Sequence, residues 1–210
     1  MRLLIVADVH DAVEMVKRIR ESVDAVIAAG DFTYRGTLET SAAVLHALAE
    51  LGPVYFVPGN CDPPQLADYT ADGVYPLHSR VVQLGPFRVG GVGGSTPTPF
   101  PYANLFVMGE GEFEALLRGL SPTPHVFVSH DPPRGHLDRV GGVRPVGNLA
   151  VRRYIEERQP LLSIHGHIHE DRGVDLLGDT VLVNPGPLKE GYYAVAELDR
   201  TVKVELKRVR

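Results

Sequence analysis

Five short polar clusters of this sequence directly follow apolar runs that have the length of β-strands. Strands ordinarily end in turn formers such as Gly, Pro, Asn or Asp, but three of these clusters also contain imidazoles. The clusters are Asp8-Val9-His10, Gly30-Asp31, Gly59-Asn60-Cys61-Asp62, Ser129-His130-Asp131 and Gly166-His167-Ile168-His169. If the strands lie side by side, seven metal-binding side chains meet at one rim: Asp8, His10, Asp31, Asn60, His130, His167 and His169. Seven ligands exceed the needs of one ion, so the pattern predicts a paired-metal hydrolase.

The types of these side chains indicate which ions they bind. Carboxylate, imidazole and amide oxygen together suit first-row divalent ions, and no thiolate cluster is present to form a structural zinc site. Asp8 and His10 are two residues apart, so in an extended segment they face one side and chelate one ion. His167 and His169 share this spacing and serve either one ion or two neighbouring ions. We therefore expect two divalent ions, Mn, Fe, Ni or Zn with Mn favoured, held ~3.5–4 Å apart by a bridging carboxylate as in phosphoryl hydrolysis.

The first third of the chain predicts the elements that position these clusters. Strands are expected at Leu3–Ala7, Ala25–Ala29 and Val54–Val57, and helices at residues 12–20 and Thr37–Leu51. This alternation implies parallel strands joined by right-handed crossovers. In open α/β sheets, ligands bind at the carboxyl ends of the strands, which is where the polar clusters fall.

The rest of the chain predicts a second set of strands. A hairpin is expected at Val81–Leu84 and Phe87–Val92, followed by a loop at Ser95–Pro101. Further expected elements are a helix at Glu110–Leu120, a strand at Val126–Val128, a long loop at Asp131–Asn148, a helix at Leu149–Glu157, a strand at Leu161–Ile164 and a β-meander at Gly173–Leu177, Thr180–Val183, Tyr192–Leu198 and Val202–Val209. Parallel units followed by a meander imply an α/β (α+β) fold with two mixed sheets packed face to face and helices outside.

The composition predicts a soluble cytoplasmic protein with a single domain over residues 1–210. Apolar residues make up 44% of the chain and charged residues 22%, so extensive disorder is not expected. The formal charge of −5 gives no reason to expect bulk binding of nucleic acid. No apolar stretch approaches the ~20 residues that cross a bilayer, and the N-terminus enters a strand without the apolar region of a signal peptide. A membrane partner is not expected, and homo-oligomerisation stays open.

The five clusters, in this order, resemble the motifs of the calcineurin-like metallophosphoesterases: D-x-H, G-D, G-N-H-[DE], [GS]-H and G-H-x-H. The resemblance implies a four-layer αββα sandwich and hydrolysis of a small phosphoester, preferentially a phosphodiester, by a metal-bridging hydroxide. It assigns Asp8, His10 and His169 to one ion, Asn60, His130 and His167 to the other, and Asp31 as the bridge. Asp31, Asn60 and His130 are the candidate catalytic residues, and Asn60 and His130 help to hold the phosphate.

Cys61 departs from the family pattern, which usually has a histidine after the asparagine to protonate the leaving group. A thiol with an ordinary pKa near 8.5 is a poor general acid at neutral pH. Members with Gly-Asn-Cys-Asp resemble the small single-domain phosphodiesterase branch. We therefore predict weak turnover of alkyl monoesters and better turnover of activated diesters, with Cys61 as a small buried side chain.

Three alternatives compete with this hypothesis. Taken singly, Asp8, Asp31 and Asn60 have the residue types of helix N-caps or turn formers, but five motifs in order disfavour that interpretation. A non-catalytic scaffold, like the retromer subunit that resembles this fold, would have degraded ligands, and none of the seven is lost. A nuclease of the same superfamily would call for a basic groove or a capping domain, and the sequence shows neither.

Several residues around the clusters have two interpretations. His165 is expected either in the core or directly behind the ligands, and His46 and His78 at the surface. The long loop contains Arg134, His136, Arg139 and Arg144, which form either a solvated loop or a rim that binds phosphate. Phe100, Tyr102 and Phe106 either pack locally or form a wall of the pocket. The Asn184-Pro185-Gly186 turn is expected to support the site from behind.

Overall fold

The computed structural model describes residues 1–100 and 103–209, which form two six-stranded mixed β-sheets. The first sheet has the strand order β14 (Val202–Arg208), β13 (Tyr192–Leu198), β1 (Arg2–Val6), β2 (Ala25–Ala28), β3 (Val54–Phe56) and β4 (Val74–Pro76). Strands β1 to β4 are parallel, β13 pairs antiparallel with β1, and β14 pairs antiparallel with β13. The expected βαβαβ unit therefore forms the centre of this sheet.

The second sheet has the strand order β11 (Gly173–Leu177), β12 (Thr180–Asn184), β10 (Leu162–Ile164), β7 (Val126–Ser129), β6 (Phe87–Val92) and β5 (Arg80–Leu84). Its four central strands are parallel, and its two edge strands are antiparallel to their neighbours. A separate two-stranded hairpin is formed by β8 (Arg139–Val140) and β9 (Arg144–Pro145).

Three apolar layers hold the sheets and helices together. The helices are α1 (Val13–Val16), α2 (Leu38–Ala49), α3 (Glu110–Gly119) and α4 (Leu149–Arg158). One apolar layer lies between the sheets, a second contains residues of the first sheet, α1 and α2, and a third contains residues of the second sheet, α3 and α4. Along β1, Leu3 and Ile5 enter the layer between the sheets, whereas Leu4 and Val6 enter the outer layer. Both faces of β1 are buried, which explains its continuous apolar run, and the four-layer αββα prediction is confirmed.

N-cap side chains account for where two of the helices begin. Thr37 and Thr40 form a reciprocal capping box at the start of α2. The side chain of Asn148 accepts a hydrogen bond from the backbone N–H of Val151 at the start of α4. Ala12, before α1, has no capping side chain, and the helix that we expected over residues 12–20 shrinks to the single turn Val13–Val16.

Three further details differ from the sequence prediction. Strand β4 was not predicted, because it has only three residues and ends in Pro76. The loop at 131–148 contains the β8–β9 hairpin, whose tip has two glycines with positive φ, Gly141 and Gly142. The terminal strands do not form one meander, since β11 and β12 belong to the second sheet and β13 and β14 to the first. Over the described ranges, no helix is long and apolar enough to cross a membrane.

Candidate metal centre

The predicted ligands follow the carboxyl ends of five parallel strands drawn from both sheets. Asp8 follows β1, Asp31 follows β2 and Asn60 follows β3 in the first sheet, while His130 follows β7 and His167 follows β10 in the second. Hydrogen bonds join the loops of the two sheets at this end of the sandwich, including His130 Nδ1 to Ala29 O at 2.6 Å and His167 N–H to Asp8 Oδ2 at 3.1 Å. The two sheets therefore meet at one polar rim.

One half of the rim brings together Asp8, His10 and His169. The Nε2 atom of His169 lies 3.2 Å from Asp8 Oδ1 and 3.2 Å from His10 Nε2. The His10 Nε2 atom lies 3.9 Å from Asp8 Oδ1, and all three donor atoms lie within 4.8 Å of one another. Three donors at these distances have the chemistry and spacing of a divalent-ion site.

The other half brings together Asp31, Asn60 and His130. The Nε2 atom of His130 lies 2.9 Å from Asn60 Oδ1 and 3.5 Å from Asp31 Oδ1. The second oxygen of Asp31, Oδ2, lies 3.7 Å from His10 Nε2 in the first half. Asp31 therefore faces both halves with one oxygen each, which is the geometry that a bridging carboxylate needs.

His167 joins the rim through its ring and its backbone. Its ring packs edge-on against His130 with centroids 5.1 Å apart. Its N–H donates to both carboxylate oxygens of Asp8, at 3.1 and 3.3 Å. Within the described ranges, no cluster of three close donor atoms includes the His167 ring. The structure thus brings six of the seven predicted ligands together by their donor atoms and places the seventh beside them.

The backbone at the rim takes conformations that non-glycine residues rarely adopt. Asp8, His10, Asp31 and His167 have φ of 52°, 45°, 54° and 69°. Each such residue costs about 1–3 kcal/mol and persists where the surroundings impose it, commonly at functional sites. The expected extended form of Asp8 to His10 is wrong, although both side chains still face the same half. The turn conformations therefore orient the ligand side chains, and the alternating side-chain directions of a strand do not.

Close backbone packing explains two glycines in the clusters. A Cβ atom on Gly59 would collide with the backbone N and the carboxylate of Asp31. Gly30 has φ +87°, and a Cβ atom there would lie 2.5 Å from the backbone N of Gly59. The loops after β2 and β3 therefore approach backbone to backbone, which brings Asp31 and Asn60 to one place.

Asp62 ties these two loops together, a role that the sequence analysis missed. Its carboxylate accepts hydrogen bonds from the backbone N–H groups of Gly59 at 2.8 Å, Thr33 at 3.1 Å and Phe32 at 3.2 Å. Burial and the neighbouring Asp31 raise the pKa of Asp62 to about 7. The available signal was its position directly after Asn60-Cys61 in the third cluster.

Asp131 has a similar supporting role beside His130 that was also missed. Its Oδ2 atom accepts from Thr96 N at 2.9 Å and from Asn148 Nδ2 at 3.3 Å, which ties the loop after β6 to the start of α4. Asn184 confirms the expected support from behind, because its Nδ2 donates to Ile168 O at 2.8 Å. Its Oδ1 accepts from Gly186 N at 3.0 Å.

The orientation of His130 is set by a backbone carbonyl. Its Nδ1 lies 2.6 Å from Ala29 O, so Nδ1 donates to that carbonyl and Nε2 is the ring nitrogen that faces Asn60 and Asp31. A metal-binding histidine commonly donates its other N–H to a carbonyl in this way. This contact fits an ion beside Nε2 better than it fits an isolated buried imidazole.

The electrostatics of the rim also fit bound cations. Burial raises the pKa of Asp8, but His169, His130 and His10 outweigh it and hold that pKa well below its usual range. Burial lowers the pKa of His10 and of His167. In His130 and His169 burial acts the same way, but the neighbouring carboxylates outweigh it and raise the pKa. Two carboxylates, Asp8 and Asp31, are thus almost fully buried among imidazoles, of which His10 and His167 favour the neutral form. A buried negative charge needs a partner, and divalent ions held by these seven side chains would supply it.

Comparison with known proteins identifies the family. A profile described as the calcineurin-like phosphoesterase superfamily domain matches residues 1–201. The chain belongs to this superfamily. An uncharacterized protein of Methanocaldococcus jannaschii is 29% identical over 197 residues, which cover 89% of this chain and 88% of that protein. The human metallophosphoesterase domain-containing protein 1 is 33% identical over 127 residues, 58% of this chain and 37% of that protein.

Solved structures share the fold. A crystal structure of a Thermus thermophilus protein has a TM-score of 0.78 at 21% identity, covering 100% of this chain and 99% of that one. A protein described as a novel archaeal phosphodiesterase has a TM-score of 0.54 at 16% identity, covering 99% and 100%. The superfamily is metal-dependent, and candidate metal-ligand groups occur at the rim of this member. The family resemblance inferred from the five clusters is thereby confirmed.

Cys61 occupies the family's histidine position as a buried free thiol. It is 6% exposed, and its backbone N–H donates to Asp31 Oδ1 at 2.8 Å. Burial, together with the charge of Asp31, raises the pKa of Cys61 far above its ordinary value. A thiol that holds its proton this strongly is an even poorer general acid than the sequence suggested.

The histidines outside the clusters have structural partners. His165 is fully buried, with Nε2 2.9 Å from Ser163 Oγ, so its core assignment is confirmed. His46 is exposed beside Tyr69, as expected of a surface residue. The surface assignment of His78 is wrong, because it is half-buried and its Nδ1 accepts from Gly93 N at 3.0 Å.

The long loop is tied to β11 and to the segment that follows His169. His136 Nδ1 lies 2.8 Å from Asp175 Oδ2 on β11, and Arg139 N donates to Asp171 Oδ2 at 2.7 Å. The side chains of Arg134, Arg139 and Arg144 are exposed, and no recorded contact among the described residues joins them to a ligand candidate. Both interpretations of these arginines, a solvated loop and a phosphate-binding rim, stay predictions.

The two described aromatic residues of the other loop differ in exposure. Phe100 is 55% exposed, whereas Phe106 is half-buried with its ring centroid 5.2 Å from that of His78. Tyr102 lies outside the described residues. Two other residues, missed from the sequence, do border the centre: Tyr34 stacks on His10, and Lys189 hydrogen bonds to Tyr34.

Proposed function

We propose that this protein is a phosphoesterase that uses two divalent ions and acts preferentially on phosphodiesters. One ion is held by Asp8, His10 and His169, and the other by Asn60, His130 and His167, with Asp31 between them. The observation that carries this assignment is the position of Asp31, whose two oxygens lie 3.7 Å from His10 Nε2 and 3.5 Å from His130 Nε2. Mn²⁺ is the favoured ion, although the donor set also suits Fe²⁺, Ni²⁺ and Zn²⁺.

The protein's own residues position the reacting groups. When bound, the ions supply Lewis acidity, which neutralises charge on phosphate oxygens and lowers the pKa of the attacking water. Asn60 is oriented by its Nδ2, which donates to Ala103 O, so its Oδ1 faces His130. The Ala29 carbonyl fixes His130. Asn60 and His130 thus hold phosphate and ion in one fixed arrangement that needs little reorganisation during the reaction.

The preference for diesters rests on Cys61. An alkyl monoester has a poor leaving group that needs a proton, and the buried thiol with its raised pKa does not supply one. An activated diester, such as an aryl diester, has a leaving group that departs without full protonation. The physiological substrate is therefore proposed to be a small diester with a good leaving group.

Two variants and one control test the assignment. We expect Asp31→Asn and His130→Ala each to reduce hydrolysis of an aryl phosphodiester by more than ~100-fold, beyond the loss seen for contacts that only support a ligand. His46→Ala is the control, since His46 is exposed and contacts Tyr69. Elemental analysis should find two ions per wild-type chain and fewer in both variants. Full activity in either variant, with no bound transition metal in the wild type, would refute the proposal.

The competing functions lack support at this site. A non-catalytic scaffold does not require Asp31 to be shared between two donor groups, nor His130 to be locked by a carbonyl. Among the described residues, the arginines of the long loop form no hydrogen bond or ion pair with a ligand candidate, so none of their contacts supports a nuclease groove. The assignment of residues 1–210 to one domain stays a prediction, as does the oligomeric state.

A further inference from the structure

Tyr34 forms part of the entrance to the proposed metal centre. Its ring stacks on the imidazole of His10, with centroids 3.9 Å apart and an angle of 14° between the planes. Its backbone N–H donates to Asp11 Oδ2 at 3.0 Å, which anchors the loop that carries it. Tyr34 is 53% exposed although His10 is buried. One face of the tyrosine therefore covers a candidate ligand, while the rest of the ring borders solvent.

Lys189 lies at the edge of this ring. Its Nζ donates to the Tyr34 hydroxyl at 2.5 Å and lies 5.1 Å from the ring centroid. Because Nζ is so close to the hydroxyl, the ammonium group lies beside the ring edge and not over its face. The Lys189 backbone N–H also donates to Asp8 O at 3.3 Å. Both the side chain and the backbone of Lys189 thus lie on the side of the centre formed by Asp8, His10 and His169.

The charge of Lys189 is not matched by a carboxylate. Lys17 lies 3.0 Å from Glu14, and Lys207 lies 2.7 Å from Glu21. Within the described part of the chain, no such ion pair is recorded for Lys189, whose one recorded side-chain hydrogen bond goes to Tyr34. A cation beside a site for divalent cations is electrostatically unfavourable. An anion that lies between them removes this repulsion, and a phosphate is such an anion.

We propose that Lys189, held in place by Tyr34, binds an anionic oxygen of the substrate's phosphate group on the His10 and His169 side of the centre. This inference rests on the proposed function. Lysine is an established phosphate binder that acts as a point charge. Tyr34 is a positioning residue, because it acts through the hydroxyl contact to Nζ. Lys189 strengthens binding of the ground-state phosphate and its transition state alike, so its loss should raise KM more than it lowers kcat.

The test measures binding of inorganic phosphate as well as turnover. The variants are Lys189→Gln, Lys189→Arg and Tyr34→Phe, and Lys203→Gln is the matched control because Lys203 is an exposed lysine on β14. All are prepared as Mn²⁺-loaded full chains, and calorimetry gives the Kd for phosphate. A charge-assisted hydrogen bond contributes enough for a ~10–100-fold change in affinity.

We expect Lys189→Gln to weaken phosphate binding and to raise KM by that factor, with kcat within about threefold of wild type. Tyr34→Phe should weaken binding less, Lys189→Arg should restore most of the affinity, and the Lys203→Gln control should match wild type. Metal content and Tm should stay unchanged in all four variants. Unchanged phosphate affinity in metal-loaded Lys189→Gln, beside an active wild type, overturns this inference alone. A wild type that takes up no metal overturns the proposed function and this inference with it.

Discussion

Two clusters of charged side chains in this protein differ in whether lysine or arginine side chains of the same chain pair with their carboxylates. We call a cluster complete when they do. Glu21 is matched within the chain, since its carboxylate receives Arg2 Nη2 at 2.6 Å, Lys207 Nζ at 2.7 Å and the Tyr193 hydroxyl at 3.0 Å. At the rim, the donor atoms of Asp8 and Asp31 lie within 4.8 Å of each other. Their side chains are 0% and 4% exposed, and no described lysine or arginine pairs with either one.

This difference separates a cluster whose charges are paired within the fold from a cluster of candidate metal ligands. A matched carboxylate such as Glu21 stabilises the chain by itself. The two buried carboxylates of the rim have only imidazoles as charged partners, and the four positive φ angles at the rim add backbone strain. Proteins tolerate such destabilised arrangements where function requires them. The effects of substitutions in one cluster on stability can therefore be compared with the effects of substitutions in the other.

The largest effect is expected from removal of the ions. Chelation should abolish hydrolysis and lower Tm, because ions that bind only the folded state stabilise it by about 3–4 kcal/mol at free concentrations of 100–1,000 times Kd. For a chain of this size that corresponds to about 6–16 °C. Thermal unfolding with EDTA and with added Mn²⁺ measures this shift. Glu21→Gln should show the same Tm difference between EDTA and Mn²⁺ as the wild type. An equal Tm with and without ions would contradict the idea that ions complete the rim.

The second effect concerns the stability of the metal-free protein, which removal of a carboxylate should change in opposite directions in the two clusters. In metal-free protein at pH 9, where imidazoles carry little charge, Asp31→Asn should raise stability by about 1 kcal/mol. The reason is that it removes one of two close buried charges and keeps an acceptor for Cys61 N. Glu21→Gln should lower stability under the same conditions. Urea unfolding of both variants measures the two changes. A large loss of stability in metal-free Asp31→Asn would mean that the rim is complete without ions.

The third effect concerns the specificity of the centre. Cys61→His should raise turnover of alkyl monoesters relative to aryl diesters by about 10–100-fold, because an imidazole of ordinary pKa is a competent general acid. Both activities are measured in wild type and variant at equal metal content. Strong monoesterase activity in the wild type would remove the argument from Cys61. Cys61→Ser, which is small and lacks an imidazole, controls for the change of side chain.

The sequence predicted the strands well and marked the residues that meet at the rim, because both leave short-range signals. β1 is buried on both faces and therefore continuously apolar, and its end is marked by Asp8 and His10. Only the topology brings His130 and His167 from the second sheet to the same rim, and the order of the five clusters was sufficient to infer this by resemblance.

The missed features depend on contacts between residues distant in the sequence. Asp62 acts on Thr33 and Phe32, which lie 29 and 30 residues before it. Lys189 meets Tyr34 across 155 residues, and neither belongs to a recognisable cluster. Strand β4 has too few residues to show a period, and the positive φ at His10 follows from its loop packing and not from its residue type. Long-range hydrogen bonds and backbone strain leave little trace in local patterns.

The smallest effect is expected at Glu21, where the pH dependence identifies a complete cluster. Burial raises the pKa of Glu21, but its hydrogen bonds with Lys207, Arg2 and Tyr193 outweigh this and lower it below the usual value. A carboxyl whose pKa is lower in the folded state stabilises the fold above the unfolded pKa, and this stabilisation is lost as the pH falls through the folded pKa. Glu21→Gln should therefore reduce Tm by about 2–4 °C at pH 7, and the gap should close as the pH falls below ~4. Addition of EDTA should leave this Tm difference between wild type and variant unchanged. A Tm difference that depended on metal would show that the two clusters are energetically coupled and would contradict their separation.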